Sequence, residues 1–155
     1  MPEGSCRVAV VCSEFNGKIT DRMLDGALTR CREAGAEVRF VCRVPGAFDM
    51  PLFIKEFAER DDIDAVITLG AIVTGETKHD DVISMQLAAS IAELSVRYGK
   101  PVSLGVSGPG MTWEQAEARA EEYAVRSVDA AIKMVNALRQ ARKERDERDF
   151  PAVIE

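Results

Sequence analysis

Four short apolar runs alternate with segments of helical spacing, and this alternation limits the folds open to the chain. The runs occupy residues 8–12, 38–42, 65–69 and 102–106 and are rich in valine, isoleucine and leucine. Runs of this kind are typical of parallel strands that are buried on both faces. Strands that alternate with helices predict an α/β fold, in which a four-stranded parallel sheet has helices on both faces and right-handed crossovers.

The spacing of apolar residues predicts the helices between these strands. A first helix has one apolar face and ends at Gly35, and that face carries Ile19, Met23, Ala27 and Cys31. A second helix lies around residues 52–58, and a third, rich in alanine, spans about 77–98. The last helix begins at Thr112, whose pairing with Gln115 matches the capping-box pattern, and it continues through residue 138.

Composition excludes several classes of protein. The 155 residues are 46% hydrophobic and 30% charged, which fits one globular domain over residues 1–155 with a charged C-terminal run from about 139. The net charge of −6 argues against a nucleic-acid partner. Apolar runs are too short to span a membrane, and the first residues lack a signal-peptide pattern, so we expect a cytoplasmic location. The cysteines predict buried reduced thiols rather than a zinc site or disulfides.

The loops that follow the strands are the expected location of function, because parallel sheets bind ligands beyond the carboxyl ends of their strands. Each loop leaves two interpretations open. Phe15 either packs on the core or offers a flat face to a ring-shaped ligand, and Asp49 either caps the second helix or binds a polar ligand. His79 is either structural or a proton shuttle, and Arg119 is either a solvated charge or a phosphate ligand.

Together these loops describe one site at one edge of the sheet. It would contain an aromatic platform, a stiff turn at Pro45-Gly46, a helix start with a proton shuttle, and an arginine. A helix start is a favourable place for a phosphate because its N–H groups are unpaired. Such a site suits a planar polar ring and a phosphorylated small molecule.

Four stretches in this order resemble the lumazine synthases, enzymes of riboflavin biosynthesis. They are "FN" at 15–16, "VPGAFDMP" at 44–51, "LGAIVTGETKHDDV" at 69–82 and "KPVSLGVSGPGMTWEQAEAR" at 100–119. The "SGPGMT" form of the last stretch resembles the archaeal branch. The resemblance covers about residues 8–138 and implies a three-layer flavodoxin-like fold.

The resemblance also implies a reaction and a set of roles. The family condenses 5-amino-6-(D-ribitylamino)uracil with 3,4-dihydroxy-2-butanone 4-phosphate, releasing phosphate and water, without metal or redox cofactor. His79 would be the proton donor, and the other implied positions bind the substrates. For the pyrimidine and its ribityl chain these are Phe15, Ala47, Phe48, Asp49, Ala71, Ile72, Val73 and Leu104; for the butanone phosphate they are Glu76, Thr77 and Arg119.

The resemblance further implies a homopentamer, free or joined into a sixty-subunit shell, with Phe15 and His79 supplied to each site by different chains. The sequence departs from the family at two places. Thr74 stands where many members carry arginine. Lysines usually follow the arginine equivalent to Arg119, but here residues 120–129 contain Arg126 as their only basic residue. Three alternatives stay open: an archaeal-type riboflavin synthase, a flavin- or lumazine-binding or shell protein without catalysis, and a response-regulator-like module.

Overall fold

Four parallel strands form a single sheet with the order β2-β1-β3-β4. The computed structural model describes residues 4–75, 79–143 and 151–155. The strands are β1 (Arg7–Ser13), β2 (Glu37–Val44), β3 (Ala65–Val73) and β4 (Val102–Met111). The helices are α1 (Gly17–Glu33), α2 (Met50–Ala58), α3 (His79–Tyr98), α4 (Trp113–Ala118) and α5 (Ala120–Lys143), and a 3-10 turn (Ala47–Asp49) precedes α2.

Helices cover both faces of the sheet, which confirms the predicted three-layer α/β fold. One core cluster joins β1 and β3 to α1, α4 and α5, and a second joins them to α2 and α3. The central strands β1 and β3 are almost entirely buried, whereas β2 alternates between exposed and half-buried residues. All four predicted strands are present, and each extends beyond the apolar run that predicted it.

The first helix forms as its spacing predicts. Ile19, Met23, Ala27 and Cys31 are all buried, and Gly35 follows the helix with a φ of 74°. The left-handed backbone conformation is favourable for glycine, because glycine has no Cβ to clash with the backbone. Thr112 and Gln115 form the predicted capping box at the start of α4.

The last helix differs from its prediction. The sequence predicts one helix from Thr112 through residue 138, but the structure has two, since Arg119 leaves the helical conformation with φ −107° and ψ 6°. The break lets α4 cap the end of the sheet while α5 packs along α1 and β4.

The stretch 107–110, predicted to be an irregular loop, lies within β4 instead. Val73 on β3 pairs with Met111, after a register shift that follows Ala71. Gly108 has a φ of 99°, and a Cβ at this position would lie 2.2 Å from the carbonyl oxygen of Ile72. Only glycine fits so close to the neighbouring strand, so Gly108 lets β4 continue where the sequence indicates a loop.

The cysteines are free thiols, as predicted. Cys6, Cys12 and Cys31 are buried and Cys42 is half-buried. Burial is the main cause that raises the pKa of Cys6, Cys12 and Cys31 to about 11. These three thiols therefore stay protonated and weakly nucleophilic at neutral pH. Among the described residues, no helix combines the length and apolar character needed to span a membrane.

An ionic cluster at the amino ends of the strands joins three distant parts of the chain. Asp64, just before β3, accepts hydrogen bonds from the backbone N–H and the guanidinium of Arg7 at 2.8–3.0 Å. Arg139 of α5 lies 3.3 Å from the same carboxylate and donates to the carbonyl oxygen of Gly4. Burial raises the pKa of Asp64, but the hydrogen bonds from Arg7 and the charges of both arginines outweigh it, so the pKa is lowered overall.

We expect the substitution Asp64→Asn to reduce the free energy of unfolding by about 2 kcal/mol at neutral pH, since it removes charge-assisted hydrogen bonds. A carboxylate whose pKa is lowered in the folded state stabilises the fold above its unfolded pKa of about 3.9 and loses that effect as the pH falls through the folded value. Urea unfolding at several pH values should show the difference from wild type vanish in acid. Asp61→Asn is the control, because the hydrogen bond from Arg7 to Asp61 uses the backbone carbonyl, which the substitution leaves in place. A pH-independent difference for Asp64→Asn would contradict the assignment.

Candidate functional site

A cleft of about 390 Å³ opens at the carboxyl edge of β1 and β3, where the sequence predicts a site. Its walls come from the β1–α1 loop, the 3-10 turn, the end of β3 and the start of α3. The lining residues are Ser13, Phe15, Asn16, Pro45, Gly46, Ala47, Phe48, Ala71, Ile72, Val73, Gly75, His79, Asp80 and Ile83.

The cleft exists because the residues on its floor are small. Ser13, Ala47 and Ala71 line it, and Gly70 directly precedes Ala71 on β3. A Cβ at Gly70 would lie 3.0 Å from Ser13 Oγ and 3.3 Å from Met50 Cε. Small side chains leave backbone N–H and C=O groups within reach of a ligand, so much of the polar surface here belongs to the main chain.

Two aromatic rings border the cleft and remain open to solvent. Phe15 is 72% exposed and Phe48 is 65% exposed. Exposed phenylalanine side chains beside a cleft are suited to contact the flat faces of a ligand. The exposure of Phe15 excludes the alternative in which its ring packs on the core. Its backbone is fixed, since Phe15 N–H donates to the carbonyl oxygen of Pro45 at 3.0 Å.

Asn16 holds the loop that carries Phe15. It is the one non-glycine residue with positive φ in the described part of the chain, at φ 58° and ψ 44°. Its Nδ2 donates to the carbonyl oxygen of Ala71 at 2.7 Å. Asparagine tolerates the left-handed conformation better than most residues. This hydrogen bond therefore fastens the β1–α1 loop to the end of β3 across the cleft.

Asp49 does not cap α2 with its side chain. Its Oδ2 accepts a hydrogen bond from Gly46 N–H at 3.0 Å, and this bond closes the 3-10 turn onto itself. The turn fixes Ala47 and Phe48 at the cleft. Asp49 itself lies beside the cleft rather than among its lining residues.

His79 is the first residue of α3 and lines the cleft together with Asp80 and Ile83. Its place in the first helical turn agrees with the sequence. Glu76 and Thr77, the predicted phosphate contacts, lie outside the described residues. The cleft thus combines an imidazole, two aromatic rings and backbone polar groups, which together can hold a planar ring and move a proton.

Leu104 and Arg119 lie away from this cleft. Leu104 is on β4, an edge strand, with a side chain that is 51% exposed. Arg119 is exposed at the break between α4 and α5. The expectation that Phe15 and His79 come from different chains is wrong, because one chain brings both to the same cleft. Of the predicted residues in the described part of the chain, Asp49, Leu104 and Arg119 are not among the residues that line this cleft.

The turn at Pro45-Gly46, which the sequence predicts as part of the site, lines the cleft, whereas Ser13, Asn16, Asp80 and Ile83 line it without having been predicted. Ser13 had a signal in the sequence, since it is a polar residue directly after an apolar strand. The contact of Asn16 with Ala71 joins residues far apart along the chain, and no local pattern predicts it. Among the described residues, no cluster of histidine, cysteine, aspartate or glutamate side chains is placed to hold a metal ion.

The fold and the cleft define a ligand-binding α/β protein whose site lies at the carboxyl edge of a parallel sheet. The family model described as 6,7-dimethyl-8-ribityllumazine synthase matches residues 5–139. The chain therefore belongs to the 6,7-dimethyl-8-ribityllumazine synthase family.

Several curated relatives of this name come from archaea. The protein from Metallosphaera sedula is 50% identical over 139 residues, covering 90% of this chain and 92% of the relative. The protein from Saccharolobus solfataricus is 52% identical over 140 residues, covering 90% and 91%. The protein from Sulfolobus acidocaldarius is 45% identical over 141 residues, covering 91% and 89%. The resemblance to the archaeal branch is confirmed.

We expect Asn16→Ala to lower the free energy of unfolding by about 2 kcal/mol for two reasons. The variant loses the hydrogen bond to the carbonyl oxygen of Ala71. It also places alanine in the left-handed conformation, which alanine adopts less readily than asparagine. Asn16→Gly keeps that conformation accessible and should lose only about 1 kcal/mol. Chemical denaturation measures both. Equal losses for the two variants would show that the backbone conformation of Asn16 carries no penalty for alanine.

Proposed function

We propose that this protein condenses 5-amino-6-(D-ribitylamino)uracil with 3,4-dihydroxy-2-butanone 4-phosphate to form 6,7-dimethyl-8-ribityllumazine, releasing phosphate and water. The observation that carries the proposal is the cleft that brings Phe15, Phe48 and His79 together in one chain. The names of relatives that are about half identical over nine-tenths of the chain support the same reaction.

The pyrimidine substrate occupies the aromatic end of the cleft. Its ring stacks on Phe15, and the backbone of Ala71, Ile72 and Val73 forms hydrogen bonds along its edge. The turn Ala47–Asp49 holds the ribityl chain, with Phe48 beside it. The rings of Phe15 and Phe48 are exposed to such a ligand, and the short side chains of Ala47 and Ala71 let it approach the backbone.

His79 moves the protons of the reaction. The 5-amino group attacks the ketone carbonyl, and the carbonyl oxygen leaves as water after it has been protonated. Loss of phosphate then leaves an enol that becomes a second carbonyl, which the ribitylamino nitrogen attacks to close the ring, and the oxygen of this carbonyl leaves as a second water. These steps need further proton transfers, for which one imidazole contributes about 10²- to 10⁴-fold. Holding two small substrates in contact contributes more, so the cleft itself is the larger part of catalysis.

The phosphate end of the butanone lies toward Glu76, Thr77 and Arg119. We place Arg119 and Leu104 in the site of a neighbouring copy, because both lie outside the cleft of their own chain and Leu104 is on the edge strand β4. Thr74 stands where many family members have arginine, and Arg126 pairs with Glu122 at 3.5 Å. Arg119 is therefore the main cation for the phosphate in this proposal, and the affinity for the phosphate depends on it.

The neighbouring copy belongs to a homopentamer, which stays free or joins a sixty-subunit shell. Support comes from α3, which presents exposed apolar residues along one face, namely Val82, Met85, Ala89, Ala92 and Val96. Residues at this spacing lie on one side of a helix. Further exposed apolar residues occur at Leu104 and Met134, beside the free edge of β4. Since both substrates are small polar metabolites, we place the protein in the cytoplasm.

We expect purified protein to form lumazine from both substrates, and His79→Ala to slow turnover about 10²-fold without abolishing it. The binding of the pyrimidine should be nearly unchanged, because the substitution removes a proton donor and leaves the aromatic end of the cleft intact. Absorbance and fluorescence of the lumazine measure the rate, and calorimetry measures the binding.

Each result is decisive for one part of this proposal. Equal rates for His79→Ala and wild type would keep the enzyme but remove His79 from its role. Binding of the pyrimidine without any product above the uncatalysed background would contradict the synthase and leave a binding or shell protein. Riboflavin as the product would identify a riboflavin synthase instead.

The proposed assembly has its own test. We expect wild type to sediment as five or more chains of 17.0 kDa, and Met85→Glu to shift the population to smaller species, because a carboxylate would be buried in an apolar interface. Thr29→Glu, on the exposed side of α1, is the matched control and should leave the assembly intact. A wild-type protein that sediments as a monomer would overturn the pentamer.

A further inference from the structure

A small cavity of about 160 Å³ lies at the amino edge of the sheet, at the end opposite the cleft. It is bounded by the end of α3, the start of β4 and the last turns of α5. Its lining residues are Asp64, Tyr98, Gly99, Lys100, Pro101, Val135, Leu138, Arg139 and Arg142. Lys100 begins the last of the four stretches that resemble the lumazine synthases, but it does not line the cleft.

Positive charge predominates in this cavity. Lys100, Arg139 and Arg142 line it together with one carboxylate, that of Asp64. This carboxylate already accepts hydrogen bonds from Arg7, and it pairs with Arg139 at 3.3 Å. Two arginines therefore neutralise the carboxylate, and the charges of Lys100 and Arg142 remain in excess. Such an excess is unusual in a chain with 26 acidic and 20 basic residues.

The bonding partners of Lys100 and Arg142 are carbonyl groups. Lys100 Nζ donates to the carbonyl oxygen of Arg60 at 2.5 Å, and Arg142 Nη2 donates to that of Gly99 at 2.9 Å. Within the described part of the chain, neither cation forms an ion pair, because the nearby carboxylates pair with other arginines. An ammonium has three N–H donors and a guanidinium has five, so both side chains have donors left for a ligand.

The free protein disfavours the charge of Lys100. Burial is the main cause that lowers the pKa of its ammonium group, and the charge of Arg7 lowers it further, whereas three nearby aspartates raise it. The pKa is lowered overall, which means that the charged form is less stable here than in water. An anion in the cavity would stabilise the charged form, and that gain would contribute to its binding.

We propose that Lys100, Arg139 and Arg142 form a binding site for a small tetrahedral oxyanion, inorganic phosphate. Lysine and arginine side chains form strong charge-assisted hydrogen bonds with phosphate oxygens. The cavity of about 160 Å³ is smaller than the roughly 300–1,000 Å³ of pockets that hold whole metabolites. Its size therefore favours the free ion over a phosphate ester. The inference is independent of the proposed function, since these residues lie at the opposite edge of the sheet.

Calorimetry with inorganic phosphate tests the site in full-length Arg119→Gln, a variant that lacks the phosphate contact proposed for the cleft. We expect this variant to bind phosphate. Adding either Arg142→Gln or Lys100→Gln should raise the Kd about tenfold, because each removes a charge-assisted hydrogen bond. Lys133→Gln is the matched control: Lys133 is exposed on α5 outside this cavity, and its substitution changes the net charge equally but should leave the Kd unchanged.

Thermal unfolding separates specific binding from general screening. Phosphate should raise the Tm of Arg119→Gln more than sodium chloride does at the same ionic strength, because screening acts equally in both solutions. The additional increase should be lost with Arg142→Gln and with Lys100→Gln. These two residues lie on different parts of the fold, so if one variant does not fold, the other still decides the result.

Three results would overturn the inference. The first is an Arg119→Gln variant that does not bind phosphate, or whose Tm rises no more in phosphate than in chloride. The second is a Kd that neither Arg142→Gln nor Lys100→Gln changes. The third is tighter binding of glycerol 3-phosphate than of inorganic phosphate, which would assign the cavity to phosphate esters instead. The proposed synthase is tested separately, by the formation of lumazine.

Discussion

The burial of β3 on both faces is the constraint on which the rest of the structure depends. This strand pairs with β1 on one side and β4 on the other, and eight of its nine residues are buried. Every side chain on it must be apolar or small, and its one hydroxyl, on Thr68, donates to a carbonyl of the neighbouring strand. Because both edges are paired, the strand delivers its carboxyl end, Ala71 to Val73, to a fixed position at the cleft.

Local pattern accounts for most of the fold. The apolar runs predicted four strands and their parallel arrangement, because buried parallel strands need continuous apolar sequence. The apolar face of α1 and the capping box at Thr112 were predicted from spacing, and both are present. The sequence also predicted that Phe15, Phe48 and His79 belong to one site, since parallel strands end at one edge of a sheet.

Contacts between distant residues account for what the sequence did not predict. The glycines at 108 and 110 indicate a loop when read alone, yet the close approach of Ile72 makes Gly108 part of β4. The helix break at Arg119 carries neither glycine nor proline, so no local signal marks it. Ser13 lines the cleft because β1 pairs with β3. Asn16 lines it because its side chain donates a hydrogen bond to Ala71, which is 55 residues away along the chain.

The floor of the cleft presents main chain and very short side chains to whatever binds there, and this limits how an inhibitor of the protein would be evaded. A compound that bonds to carbonyl and amide groups of β3 contacts atoms that every substitution leaves in place. A larger residue at Gly70, directly before Ala71, would push against Ser13 Oγ and Met50 Cε. A substitution there would weaken the sheet. We therefore expect substitutions that confer resistance to such a compound to occur at the exposed rings of Phe15 and Phe48 instead.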